Sequence, residues 1–148
     1  MARDRVELRV ELVDWAKTEP TIRAIRGAVF LTEQGVPEEL EWDGLDPLCS
    51  HVLAWNRAGE AIGTARMQAE GKIGRMAVLR DWRGRGVGFA ILQRLLDLAA
   101  RNGLPRVTLA AQMHALGFYE RAGFHAIGDR FMDAGIPHRQ MVKELLLP

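Results

Sequence analysis

Three sets of residues in this chain have types and spacings that could do chemistry. The first is Arg83-Gly84-Arg85-Gly86-Val87-Gly88, which falls where an apolar run hands over to a long amphipathic stretch. The start of a helix offers unpaired N–H groups and the positive end of the peptide dipoles, and residues without a Cβ let an anion reach the main chain. The chemistry is therefore phosphate or pyrophosphate binding, with Arg83 and Arg85 adding charge. The second is Tyr119, the single tyrosine of the chain. A free phenol has a pKa of about 10, so it keeps its proton at neutral pH and can hand it to a stronger base. The third is the carboxylate-rich stretch Glu33, Glu39, Glu41, Asp43 and Asp46, with His51 and His138 elsewhere; any of these could take a proton from a reacting group directly or through water.

Positioning these groups requires elements that the hydrophobic pattern supplies. Leu92, Leu95, Leu96 and Ala99 form an apolar stripe at helical spacing opposite Gln93, Arg94, Asp97 and Arg101, and Asn102-Gly103 with Pro105 stops that helix. Val6 to Val13 alternates as a half-buried strand. Thr18 to Pro20 punctuate it, and a first helix follows through Ile22, Ile25, Ala28, Val29 and Leu31. Pro37-Glu38-Glu39 opens a second, short helix, and Glu41 to Asp46 reads as a loop. Ser50–Arg57, Ala61–Ala69 and Lys72–Leu79 read as a three-strand meander with tight turns. Arg106–Ala111 is a strand that returns parallel after the long helix. Met113–Ala122 reads as a further helix. His125–Met132 and His138–Leu147 pair as a hairpin across Asp133–Pro137. The order β-α-α-β-β-β-α-β-α-β-β gives a mixed sheet with helices on its faces.

The bulk properties narrow the classes. With 148 residues, a formal net charge of +1 and one cysteine, the chain reads as one domain spanning residues 1–148. It has no disulfide framework, no charge argument for nucleic acid and no membrane span, and it fits the cytoplasm. No histidine or cysteine spacing matches a metal site. The glycine pattern lacks the third glycine of a dinucleotide fingerprint, since Phe89 stands there, and it lacks the Gly-Lys-Ser/Thr of a Walker loop.

What remains is Gln/Arg-x-x-Gly-x-Gly/Ala, met by Arg83, Gly86 and Gly88. This resembles the pyrophosphate-binding motif of the GNAT acetyltransferases. Arg75-Met76-Ala77-Val78 before the loop resembles the family's coenzyme-contacting strand, and Ala115–Phe124 resembles its helix with Tyr-x-x-x-Gly-Phe. Arg26–Phe30, Glu33–Pro37, Glu39, Glu41, Asp43, Asp46, His51 and Gly135–His138 resemble the ElaA-like and YjcF-like bacterial branch. The resemblance implies an α/β (α+β) fold with a mostly antiparallel sheet of about seven strands, about four helices, and a parallel strand pair splayed at the coenzyme site.

It further implies acetyl-CoA as co-substrate, held by Met76, Ala77, Val78, Arg83, Gly84, Arg85, Gly86, Val87, Gly88, Gln112, Phe118 and Tyr119. Gln112 stands where many members have asparagine. In the implied reaction the Val78 N–H steadies the thioester oxyanion and Tyr119 protonates the thiolate. Glu33 or His138 serves as base for a small-molecule primary amine. The carboxylate cluster suggests a cationic acceptor; alternatively those acids cap the short helix and pair with Arg23 and Arg26. A monomer or a homodimer fits equally. Two other readings are an acyl-homoserine-lactone synthase-like enzyme, suggested by the acidic stretch from Glu41 to Asp46, and a non-catalytic acyl-CoA-binding module.

Overall fold

A computed structural model describes residues 7–145. The chain forms one seven-stranded sheet in the order β1-β2-β3-β4-β5-β7-β6. Its strands are β1 (Arg9–Val13), β2 (Ser50–Trp55), β3 (Ala61–Met67), β4 (Lys72–Val78), β5 (Arg106–Gln112), β6 (His125–Asp133) and β7 (Ile136–Glu144). The helices are α1 (Trp15–Arg26), α2 (Glu38–Glu41), α3 (Val87–Arg101) and α4 (Leu116–Arg121). Every neighbouring pair is antiparallel except β4 and β5. Val6 and Leu147, at the outer ends of the first and last expected strands, lie outside the described residues.

The meander strands are apolar on both sides because helices cover both faces of the sheet. On β2, Val52 joins the cluster under α3 while its neighbour Leu53 joins the cluster under α1. On the α3 side, Ile91, Leu92 and Leu95 are fully buried against strand residues such as Val107, Leu109 and Met141. Each such side chain contributes about 2 kcal/mol by leaving water. The expected stop holds: Gly103 adopts φ +72°, and Leu104 N–H closes back on the Ala99 carbonyl.

Two expectations are corrected. Thr18–Pro20 do not separate a strand from a helix; they lie inside α1, which starts at Trp15. The Thr18 hydroxyl donates to the Asp14 carbonyl at 2.8 Å, and burial of Ile22 and Ile25 outweighs the one backbone hydrogen bond that Pro20 cannot make. The C-terminal loop is also shorter than Asp133–Pro137. Ala134 and Gly135, with φ of +51° and +76°, make a two-residue turn, so the strands run to Asp133 and resume at Ile136.

After α1 the chain continues as a π-helical turn, Gly27–Glu33, with Gln34 N–H bonding back to the Val29 carbonyl. The extra residue per turn widens the helix. Val29 then reaches the core and Glu33 the far side of the sheet's central cleft.

The expected loop is shorter than Glu41 to Asp46, since Glu41 ends α2 and Asp46 opens a single 3-10 turn, Asp46–Leu48, and its acids are not free. Arg26 is 1% exposed and donates through Nε to Glu41 at 2.7 Å and through Nη1 to Asp46 at 2.7 Å. Arg66, from β3, donates to Asp46 at 2.8 Å and also pairs with Asp43. The Arg66 hydrogen bond holds Asp43 well below the usual carboxylate range. Burial raises Asp46, and bonds from Arg26 and Arg66 more than reverse that; at Glu41 burial prevails and the carboxyl is raised. Arg23 instead pairs with Glu19 and lies over Trp42.

A buried arginine between two buried acids predicts a large asymmetry between neighbouring substitutions. Arg26→Ala should cost about 3–5 kcal/mol because it strands Glu41 and Asp46 in the interior. Arg23→Ala, breaking an exposed pair, should cost about 1 kcal/mol or less. Urea unfolding monitored by tryptophan fluorescence checks both; equal losses would mean the buried network contributes no more than a surface pair.

Candidate active site

The site is a gap in the sheet. β4 and β5 pair only at Lys72↔Thr108 and Ile73↔Leu109, and from Gly74 onward they part. On its other side β4 stays paired with β3, through a bulge between Thr64 and Arg66. Leu79 N–H bonds the Ile62 carbonyl at 2.9 Å, so Leu79 and Ile62 are a hydrogen-bonded pair. The adjacent Gly63/Val78 pair is then of the non-bonded kind, and the main-chain N–H and C=O of Val78 point into the gap. The carbonyl is taken by Arg83 Nε at 2.9 Å.

Beside the gap, α3 begins. Gly86 is its N-cap with φ +87° and ψ 3°, a left-handed conformation that glycine adopts without strain, and no side chain caps the first turn. The N–H groups of that turn are therefore available to an anion. At Gly88 a Cβ would stand 3.4 Å from the Phe118 ring, an ordinary contact, so the first turn of α3 faces α4 with little room to spare.

The gap opens into a cavity of about 840 Å³. Of the coenzyme residues expected from the sequence, Met76, Ala77, Val78, Arg83, Gly84, Gly86, Val87, Gly88, Gln112, Phe118 and Tyr119 all line it. Arg85 does not; its guanidinium stacks on Trp82 at 4.8 Å. Ala77 and Val87 are 2% and 1% exposed and belong to the core, so what they present to a ligand is backbone.

Tyr119 packs edge-on against Phe118 and Phe124 and points its hydroxyl at Met76 Sδ, 3.8 Å away. Burial pushes its pKa up to about 12. His138, on β7, sits across from Gln112 on β5 and Phe131 on β6. Its Nδ1 is 2.7 Å from the Ile136 carbonyl. A carbonyl only accepts, so in the neutral ring Nδ1 carries the proton and Nε2 keeps its lone pair. Nε2 has no hydrogen-bond partner among the described residues.

Glu33 is placed differently. Its two oxygens take bidentate bonds from Arg83 Nη1 and Nη2 at 2.8 and 2.6 Å, outside the residues that line the cavity. Those bonds lower its pKa, which makes it a weaker base. The adjacent Gln34 accepts from Gln112 Nε2 at 3.0 Å. The π-helical segment is thus tied to both sides of the gap. Sequence reasoning missed this, because Glu33 and Arg83 are far apart in the chain and no local pattern joins them. It also missed Arg75, whose positive φ of +52° marks the bulge in β4.

Among the described residues no group of histidine, cysteine and carboxylate side chains is placed to hold a metal ion. No described helix is long and apolar enough to cross a membrane.

A splayed parallel pair, a glycine-rich helix start beside it and a half-buried phenol facing the gap are brought together at one cavity. Residues 19–145 match the family model described as an acetyltransferase (GNAT) domain. The chain is 36% identical over 124 residues to YjcF of Bacillus subtilis, described as an uncharacterized N-acetyltransferase, covering 81% of this chain and 88% of that protein. It is 30% identical over 130 residues to the protein ElaA of Escherichia coli, covering 82% and 84%. The crystal structure of an acyl-CoA N-acyltransferase from Pseudomonas aeruginosa matches with a TM-score of 0.81 at 31% identity, over 93% of this chain and 99% of that one. The chain belongs to the GNAT acetyltransferase family, with homologues in the ElaA-like and YjcF-like branch. Membership implies an acyl-CoA co-substrate.

The Glu33–Arg83 pair gives the site a test. Glu33→Gln should free the Arg83 guanidinium for a ligand anion. Acetyl-CoA should then bind about 2–5-fold more tightly, the scale of an exposed ion pair. Turnover should survive. Calorimetric titration and steady-state rates check this; a fall in kcat of about 100-fold or more with unchanged affinity would make Glu33 the base.

Proposed function

We propose that this protein transfers an acetyl group from acetyl-CoA directly to the primary amine of a small molecule. The observation that carries the reading is the Tyr119 hydroxyl, half-buried in the cavity wall at Met76, on the strand whose Val78 turns its unpaired N–H into the same gap. The opened edges of β4 and β5 offer main-chain groups to the amide-rich pantetheine arm. The first turn of α3 and the glycines before it offer N–H groups to the pyrophosphate. The Val78 N–H donates to the carbonyl oxygen as negative charge develops there.

His138 serves as the base: Nε2 takes a proton from the attacking ammonium, directly or through water, and the freed amine forms the new C–N bond. As the C–S bond breaks, Tyr119 gives its proton to the leaving sulfur, and the second proton that the nitrogen sheds on becoming an amide returns through water to the phenolate, while His138 releases the first to solvent. With the phenol at about 12 and an ordinary thiol near 8.5, that transfer would be uphill by about 5 kcal/mol in water. The thiolate, however, departs into the same water-poor wall, where burial raises its basicity as it raises the phenol's. The two acidities are thereby brought closer, and Tyr119 stays protonated until needed.

The test is thiol release from acetyl-CoA across an amine library, with Tyr119→Phe beside the unchanged protein. Among the described residues the hydroxyl's one hydrogen-bond partner is a thioether, a weak acceptor, so the substitution should leave the melting temperature nearly unchanged. It should lower kcat by about 100-fold or more while acetyl-CoA affinity holds. Unchanged turnover would return Tyr119 to a packing role. Tight coenzyme binding with no thiol release from any amine would favour a non-catalytic acyl-CoA-binding module.

A further inference from the structure

The acidic stretch looked suited to drawing a cationic acceptor, and the structure corrects that. Glu41, Asp43 and Asp46 are matched one for one by Arg26, Arg66 and Arg75. The cluster is neutral and projects little field into the cavity. Lys72 and Arg121 also line the cavity, with no ion-pair partner among the described residues. Against them stands Asp133, at the exposed hairpin tip. Among the lining residues Arg66, Lys72, Arg75, Arg83 and Arg121 outnumber Glu41, Asp43 and Asp133, so the wall of the cavity carries net positive charge.

Arg75 gives that charge a direction. The bulge in β4 puts two residues, Arg75 and Met76, opposite Ala65, and holds Arg75 at φ +52°. A non-glycine residue in this region costs about 1 kcal/mol or more, so the surroundings must hold it there. They do so along one edge of the guanidinium. Nη2 donates to the carbonyls of Leu40 and Glu41, both at 3.1 Å, and to Asp43 at 3.2 Å. Nε lies 3.2 Å from Glu41 Oε1, out of line for a good hydrogen bond. The other edge is free: Nη1 has no partner among the described residues. The side chain is 26% exposed and lines the cavity. A guanidinium pinned on one edge is preorganised to receive an anion on the other, because the side-chain entropy has already been lost in folding.

We propose that the acceptor is an amine that also bears a carboxylate, an amino-acid-like molecule, and that Nη1 of Arg75 holds that carboxylate while the amine reaches the acyl group. This rests on the acetyltransferase reading and names its substrate class. Arg75 precedes Val78 by three residues on the strand, a span that the bulge keeps under about 10 Å. The distance between carboxylate and amine is therefore a variable that the experiment must span.

The experiment uses the full chain with saturating acetyl-CoA and follows thiol release. The acceptors are matched pairs: amino acids with the amine α, β, γ or further from the carboxylate, each beside its carboxamide, with spermidine as a cationic control. At the favoured spacing the acid should exceed its amide by about 10–100-fold in kcat/KM, the value of one charge-assisted hydrogen bond, with most of the difference in KM. Arg75→Lys, which keeps the charge beside Glu41 and Asp43 but removes the Nη1 edge, should erase most of that preference. Acetyl-CoA affinity should stay close to that of the unchanged protein, while the melting temperature should fall by a few degrees because a lysine cannot make all three Nη2 bonds that hold residue 75. Amides or spermidine turned over as well as the acids, or no acid accepted at any spacing, would overturn the proposal while leaving the acetyltransferase reading standing. An acid preference that survives Arg75→Lys in the folded variant would overturn the assignment to Arg75. Failure to release thiol from acetyl-CoA with every amine tried would overturn both readings together.

Discussion

Everything in this molecule is arranged around a pair of strands that stop pairing. A parallel ladder normally satisfies each main-chain N–H and C=O, and an unmet group away from water costs about 1–3 kcal/mol. β4 and β5 give up their ladder after Ile73 and Leu109. The loss is confined because each strand keeps its outer partner, β3 on one side and β7 on the other. The helices then fix the width of the opening. α3 is anchored by Ile91, Leu92 and Leu95 on one face, and α1 by Ile22 and Ile25 on the other. Phe118 of α4 lies against Gly88 at the start of α3, at the mouth of the opening. The gap is thus a property of the whole sheet and not of a flexible loop.

The buried ion pairs form the second constraint, and they serve the first. Arg26, Glu41, Asp46 and Arg66 join α1, the loop after α2 and β3 at one point. Apolar residues of similar size would hold those elements at no lower stability. Charges with fixed hydrogen-bond geometry additionally fix an angle, which an apolar contact does not. The consequence reaches the site through Arg75, which shares Glu41 and Asp43 with that network and belongs to the strand facing the gap. On the opposite flank, Arg83 is shared between the Val78 carbonyl and Glu33. Each flank of the opened strand therefore has an arginine tying it to the segment between α1 and β2.

What the sequence revealed follows this division. Periodicity located α3, the meander and the order of elements, because a buried stripe or an alternating strand is a local pattern. The glycine loop and Tyr119 were legible through resemblance, and the structure brings them to one cavity. The contacts that decide charge were legible only in part. Pairing of Glu41 and Asp46 with Arg26 was legible as the alternative to a free acidic patch, and it holds. Arg23 instead pairs with Glu19, and the partners Arg66 and Arg75 on β3 and β4 lie too far along the chain for any local pattern to join. Pro20 and Thr18 misled for the opposite reason: their local preference is real, but packing of Ile22 and Ile25 overrides it. The hairpin tip was drawn too long because Pro137 reads as a loop residue, whereas Ala134-Gly135 alone makes the turn.

The claim that the opened strands and the start of α3 hold the acyl-CoA is tested most directly by amide hydrogen exchange with and without acetyl-CoA. The N–H groups concerned are those a ligand would take up. Exchange should slow at residues 76–78 on β4, 84–89 at the glycine loop and 110–112 on β5, and the outer strand β1 should be unaffected. Unchanged exchange in those three segments under saturating acetyl-CoA, or protection confined to another face of the sheet, would contradict the account.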